Sequence, residues 1–378
     1  MPLALLLLLA ACGPRADEAR LLLEDIAGGG APSVLTRTTP APIRQDAVWR
    51  VEGRDGAGDL YLSPEGPLAR LVLVPGLTPE GPRDRRLVVL AEALARARFA
   101  VLVPDLPNLR RLTVDPSDAR AIADAVVAFG GLPAPGAPAH AVGLAAVSYA
   151  VGPALLAALE PDAAAKTQFI VAIGGYYDMA AVLTYLTTGR YRAGAGQPWQ
   201  EGQPRGLAKW LFVAVNAERL DDLADRALFA AIGRRRQVDP AAPVSDLAAR
   251  LGPQGRALLA LLENEDPDAV PALIAALPPD LRDTFAALSP SHRDLRALRA
   301  RLILVHGRDD PAVPFTESFA LAAAVGPGQA RLFLIDGLDH VDFRADLGFS
   351  DRLVLLEAAK AVLAERDWIS SRLPAGAR

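Results

Sequence analysis

Ser148 lies where an apolar run meets an alanine-rich one, in the stretch GLAAVSYAVGPALL from Gly143 to Leu156. The pattern reads as a buried strand breaking sharply into a helix with a hydroxyl at the break. A serine hydroxyl is a poor nucleophile near neutral pH and needs an adjacent base, and a tight strand-to-helix turn holds it clear of the sheet. Such a turn admits only small neighbours. Ala146 and Ala150 stand two residues to either side, where a G-x-S-x-G pattern has glycines. Taken alone, the stretch fits a serine that caps a helix equally well.

Two later segments supply partners for that hydroxyl. RLILVHGRDDPAVP, from Arg301 to Pro314, is an apolar strand ending in a glycine turn, with Asp310 three residues past Gly307. RLFLIDGLDHVDF, from Arg331 to Phe343, is another apolar strand whose closing turn carries His340. The order is serine, aspartate, histidine, each just past the C-terminal end of a strand, where an open parallel sheet places its ligand crevice. An imidazole takes the serine proton, and a carboxylate fixes its tautomer and stabilises its charged form. Asp309 competes with Asp310, but the spacing from the glycine favours Asp310; Asp178, after the strand in IVAIGGYYD, is an alternative orienter. Of the four histidines, His140 opens the strand leading to Ser148, His306 braces a turn and His292 lies in a polar linker, which leaves His340 as the base.

The elements that must hold these groups alternate between strand and helix. Ile43 to Val51 and Gly58 to Leu62 read as an antiparallel pair turning around Asp55-Gly56, and Arg70 to Val74 as the next strand. A helix follows over Arg83 to Arg98, a strand over Ala100 to Val103, and a helix over Ser117 to Phe129 capped by Ser117. Thr167 to Ile173 is a further strand, and Asp105, after its own strand, reads as a loop-stabilising carboxylate. From Asp178 to about Leu298 the strand signal gives way to helices over Lys209 to Val215, Leu220 to Ile232, Val244 to Leu262, Asp268 to Leu277 and Leu281 to Leu288. Within that span, the Gly/Pro-rich segment Gly189 to Gly206 with Trp199 reads as a flap, and Arg234 to Arg236 as a solvated helix end.

On the motifs VPGLTP (Val74 to Pro79), AVSYA (Ala146 to Ala150), HGRDDPAVP (His306 to Pro314) and GLDHVDF (Gly337 to Phe343), the chain resembles the α/β-hydrolase superfamily over residues 43–368. The resemblance implies an α/β fold with a mostly parallel central sheet flanked by helices and interrupted by a helical lid. It implies Ser148 as nucleophile, His340 as general base and then acid, and Asp310 as its orienter. The oxyanion hole would be the backbone N–H groups of Tyr149 and Leu77, worth about 3 to 4 kcal/mol each. The sequence departs from the family pattern at Pro75, where a histidine often precedes the glycine, and at the two elbow alanines. The expected activity is carboxylic ester hydrolysis through an acyl-enzyme. The alternatives are a non-catalytic surface lipoprotein that keeps the fold to bind a lipid or protein partner, and a cofactor-free haloperoxidase-like or C–C bond hydrolase using the same trio.

Composition narrows the remaining classes. A chain of 378 residues, 51% hydrophobic with a net charge of −4, buries a large core and presents no basic stripe for nucleic acid. There is no HExxH, no paired cysteine motif and no phosphate-cradling glycine loop, so neither a metal nor another cofactor is expected. At the N-terminus, the apolar run Leu3 to Ala11 is too short to span a bilayer at ~1.5 Å per residue and resembles the core of a secretory signal. Leu9-Ala10-Ala11-Cys12 resembles a bacterial lipoprotein box, although no Lys or Arg precedes the run. Cys12 is the only cysteine, so the expectation is a lipid anchor at Cys12 on the bacterial cell envelope, with a cytoplasmic protein as the alternative. The expected organisation is a signal segment (1–12), a tether (13–42) with one short amphipathic helix from Ala16 to Ile26, a hydrolase core (43–178 and 300–378) and a helical lid (179–299).

Overall fold

The computed structural model describes residues 13–132, 134, 136–206, 209–210, 217–343 and 347–372. The strands are β1 (Ile43–Val51), β2 (Arg54–Leu62), β3 (Ala69–Val74), β4 (Phe99–Pro104), β5 (Val142–Val147), β6 (Thr167–Ile173), β7 (Arg190–Tyr191), β8 (Gln200–Glu201), β9 (Arg301–Gly307), β10 (Ala330–Ile335), β11 (Leu338–Asp339) and β12 (Asp342–Phe343). Eight of them form one sheet in the order β1-β2-β4-β3-β5-β6-β9-β10. Only β2 runs antiparallel to its neighbours; from β4 to β10 every pairing is parallel. β3 and β4 bury every residue, because strands covered by helices on both faces have no solvent side to place polar residues on.

Each face of the sheet has its own apolar layer. On one, Leu144, Ile170 and Leu304 pack with Ile122 and Phe129 of the Ser117–Phe129 helix and Leu155 of the Val151–Ala157 helix. On the other, Leu73, Val101 and Ile303 pack with Leu94 of the Arg85–Arg96 helix and Leu363 of the Phe349–Ser371 helix.

Local chemistry explains where elements begin and end. The β1–β2 turn falls at Glu52-Gly53, three residues before the expected Asp55-Gly56: Val51 pairs with Arg54, and the two turn residues have φ of 48° and 84°. Two successive positive φ values match the right-handed strand twist. Gly56 lies within β2, where a Cβ would come within 2.2 Å of the Trp49 indole nitrogen. The Ser117–Phe129 helix has the expected bounds but not the expected cap. Ser117 is its first residue, and Asp115 Oδ1 accepts the Ser117 N–H at 2.9 Å and its hydroxyl at 2.6 Å.

The stretch expected to be a tether is packed instead. Pro14–Ala27 is a helix that buries Ala19 and Leu22 in the same layer as the Phe349–Ser371 helix. Arg366 reaches across to Glu18, with Nη2 to Oε2 at 2.9 Å, and Arg15 pairs with Asp367 at 2.7 Å. An apolar helix face has a larger gain in burial than in solution, so residues 13–42 belong to the folded body. Cys12 and the rest of the signal-like run lie outside the described residues, within which no helix is long and apolar enough to cross a membrane.

The insertion between β6 and β9 carries helices over Leu223–Val238, Pro253–Leu262, Val270–Ala275 and Pro279–Ala287, with the short β7–β8 pairing. The expected helix over Val244 to Leu262 is two, Ser245–Ala248 and Pro253–Leu262, because Pro253 cannot continue a helix but starts one well. Most of the expected Lys209 to Val215 helix lies outside the described residues. Leu228, Phe229, Leu258 and Leu281 join the same apolar layer as the sheet, so the insertion shares its core.

Candidate active site

Ser148 follows the last residue of β5, and a single 3-10 turn, Ser148–Ala150, leads from it into the Val151–Ala157 helix. Its φ is +57°, a left-handed conformation that costs a residue with a Cβ about 1–2 kcal/mol. Small neighbours make the turn possible: Ala146 and Ala150 are fully buried, and a Cβ on Gly76 would lie 3.5 Å from Ser148 Cβ. One turn further, a Cβ on Gly152 would meet the Tyr176 hydroxyl oxygen at 2.2 Å.

His340 is the first residue of the two-residue turn joining β11 to β12, with φ of +59°. A positive φ favours glycine, so the imidazole is held out on strained backbone. Gly307, at the end of β9, lets this hairpin close down, since a Cβ there would sit 2.0 Å from the Leu338 carbonyl oxygen.

The three side chains converge in one hydrogen-bonded row. The Ser148 hydroxyl donates to His340 Nε2 at 2.7 Å, and His340 Nδ1 donates to Asp310 Oδ2 at 2.7 Å. An ionised carboxylate only accepts, which assigns the proton to Nδ1 and leaves the Nε2 lone pair facing the serine. Asp310 is 1% exposed and held on all sides. Its Oδ1 accepts the amides of Ala312 and Val313 at 2.8 and 2.9 Å, and His306 Nε2 lies 3.4 Å from Oδ2. Burial alone would raise its pKa, but hydrogen bonds and charge from His306 and His340 outweigh burial and hold it well below the usual carboxylate range.

Several residues support this row, and of them sequence reasoning found only His306, read as a turn brace. His306 reaches Ser318 Oγ at 2.7 Å and the Val313 carbonyl at 3.0 Å, so it braces the Asp310 loop from behind. Gly174, φ +59°, lies against the imidazole, where a Cβ would come within 3.1 Å of His340 Nδ1. Buried Glu317 accepts the amides of Tyr177 and Asp178 at 2.9 and 2.7 Å and so secures the loop that contains Gly174. From the insertion, Tyr185 donates its hydroxyl to the Asp310 carbonyl at 2.9 Å. Arg205 gives its N–H to the Pro311 carbonyl at 2.9 Å and pairs its guanidinium with Asp339 at 2.7 Å. The one signal for Gly174 was its place in a Gly-Gly pair after a strand.

The competing candidates fall elsewhere. Asp309 is exposed, and Asp178 caps the Met179–Thr188 helix through the Ala180 N–H at 2.8 Å. His140 and His292 are exposed, and Asp105 pairs with Arg110 at 3.1 Å. Arg236 is not solvated as expected: it pairs with Glu263 at 3.0 Å and lies over the Trp210 ring. Tyr149 N–H precedes the first turn bond, which Val151 makes to the Ser148 carbonyl; amides at that position have no acceptor within the helix. Leu77 follows Gly76 beside the elbow. Among the described residues no group of three or more His, Cys, Asp or Glu is placed to hold a metal ion. A cavity of about 550 Å³ lies behind Asp310, lined by Tyr185, Tyr191, Arg205, Asp309 and Phe315.

No family profile and no curated protein matches the chain. Among solved structures it is similar to a protein of Legionella pneumophila described as a hydrolase, with a TM-score of 0.55 and 13% identity over 93% of this chain and 95% of that one. The α/β hydrolase GrgF of Penicillium is similar with a TM-score of 0.46 and 15% identity, covering 85% of this chain and 99% of that one. The esterase domain of a Rhodothermus marinus protein gives 0.42 and 16%, covering 87% and 98%. Sheet order, parallel pairing and flanking helices define the α/β-hydrolase fold, and the Legionella structure shares that architecture over nearly its full length.

Proposed function

We propose that this protein is a serine hydrolase that cleaves small carboxylic esters through an acyl-enzyme. The observation that carries the reading is the row of two 2.7 Å hydrogen bonds, Ser148 to His340 and His340 to Asp310, with the serine on a strained elbow. Ser148 Oγ attacks the ester carbonyl carbon as its proton passes to His340 Nε2. The imidazolium, stabilised by ionised Asp310, then protonates the leaving alkoxide. Water deprotonated by the same nitrogen attacks the acyl-enzyme, and the carboxylic acid leaves as Ser148 recovers its proton. The N–H groups of Tyr149 and Leu77 receive the oxyanion in both steps. The helices of residues 179–299 act as a lid that shapes the acyl and alcohol pocket and excludes water.

The test is turnover of a short activated ester together with labelling by a serine-reactive phosphonate. Wild type should do both, and Ser148→Ala should lose labelling and on the order of 10⁴-fold or more in kcat. Equal turnover by the two proteins would remove Ser148 from the reaction. We further propose that Cys12 is lipidated and holds the protein at the membrane of the cell envelope. Fatty-acid incorporation that disappears in Cys12→Ser is the expected result, and none in wild type refutes it.

A further inference from the structure

The side chain of Tyr149 has no part in the chemistry above, yet it is held at both ends. Its ring is buried and stacks on Tyr176 with centroids 6.4 Å apart. Its hydroxyl donates to Asp118 Oδ2 at 2.9 Å and accepts the Asp115 N–H at 3.0 Å. Asp118, itself 2% exposed, is fixed in turn by Asn108 Nδ2 at 2.9 Å. Asp115 is gripped from the insertion: Arg219 Nη2 reaches Asp115 Oδ2 at 2.5 Å and the Val114 carbonyl at 2.8 Å, while Nη1 pairs with Asp280 at 3.3 Å. An unbroken chain of hydrogen bonds thus runs from residues 219 and 280 of the insertion to the residue that follows the nucleophile.

We propose that the Tyr149 hydroxyl is a positioning group that aims the Tyr149 N–H at the oxyanion, and that Arg219 sets this aim by fixing Asp115. This rests on the serine-hydrolase reading. A hydrogen bond weakens steeply once its donor angle falls well below linear, so an oxyanion donor must be aimed and not merely present. The Tyr149 N–H belongs to the peptide plane that joins it to Ser148, so rotation of that plane about its flanking bonds turns the donor away from the oxyanion. Pinning the phenol at the far end of the Tyr149 side chain opposes that rotation. A phenylalanine would fill the same space, so packing does not account for the hydroxyl.

The experiment compares wild type, Tyr149→Phe, Arg219→Ala and the double variant in the full chain. Sites are counted by stoichiometric phosphonate labelling of Ser148, so misfolded protein drops out of kcat. Each single variant should lose about tenfold in kcat per labelled site with KM within about twofold, a fraction of what losing a whole oxyanion donor costs. The double variant should lose no more than the weaker single variant, because both changes break one chain. Unchanged kcat in Tyr149→Phe, or a change confined to KM, overturns the positioning role. Losses that multiply in the double variant overturn the link to Arg219. Wild type that neither labels nor turns over ester brings down the serine-hydrolase reading, and this one with it.

Discussion

Glu317 should make the protein lose stability as the pH rises from 5 to 8. The carboxyl is 5% exposed, and burial lifts its pKa from 4.5 to about 7, against the downward pull of the Asp178 and Tyr177 amides and with help from the Asp178 charge. A carboxyl that holds its proton more tightly when folded contributes stability that is full below its unfolded pKa and is lost as the pH climbs through its folded one. The gap from 4.5 to about 7, at ~1.36 kcal/mol per pH unit, corresponds to about 3 kcal/mol. About 2.5 kcal/mol of that falls between pH 5 and 8. Asp118, buried and raised from 3.8 to about 6, slopes the same way, so wild type alone does not isolate Glu317. Glu317→Gln does, because it keeps a carbonyl for the two amides and cannot ionise. In urea unfolding followed across that range, the wild-type curve should fall more steeply than the Gln curve by about 2.5 kcal/mol. Parallel curves for the two proteins would refute the reasoning.

Three further changes probe the support of the site and the fold. Asp310→Asn should lower kcat by about 10³–10⁴-fold by favouring the wrong imidazole tautomer, and activity within tenfold of wild type in an ester assay counts against Asp310 as orienter. Gly174→Ala puts a methyl group 3.1 Å from His340 Nδ1 at a φ of +59°, so it should cost about 1–2 kcal/mol in urea unfolding and lower kcat as well. An unaltered kcat would mean that the glycine does not support the ring. Arg366→Ala removes a guanidinium whose side chain is 6% exposed from Glu18 and the Ala97 carbonyl, and should cost about 3 kcal/mol. Limited proteolysis should then cut sooner in the segment Gly28–Gly30, and resistance equal to wild type would show that the Pro14–Ala27 helix is held by its apolar face alone.

The main sheet was legible because parallel strands buried on both faces leave continuous apolar runs, as in β6, whose bounds are those expected; β1, an exposed antiparallel edge strand, also has its expected bounds, read from alternation instead. Ser148, Asp310 and His340 could be picked out for a related reason: each follows such a run, and few other residues with the right chemistry do. What stayed hidden depends on packing across long sequence distances. Gly174 lies on His340, but nothing local to either residue records the contact. The β1–β2 turn was misplaced because Asp55-Gly56 has the composition of a turn, while Gly56 is there to admit the Trp49 indole. Residues 13–42 read as a tether because Thr, Pro and Gly outweigh the short apolar face of one helix, and that face finds its partner more than 300 residues downstream.

Arg205 touches the loops of two residues at once, Pro311 beside Asp310 and Asp339 beside His340. It comes from residues 179–299, the part of the chain that looks most like a removable accessory. Deleting that part, or exchanging it for the equivalent piece of another protein of this fold, would leave the Asp310 loop and the His340 hairpin without their shared clasp. On the proposed function, substrate range is therefore better altered by point changes inside the insertion than by cassette exchange, unless the incoming cassette brings its own guanidinium to the same place.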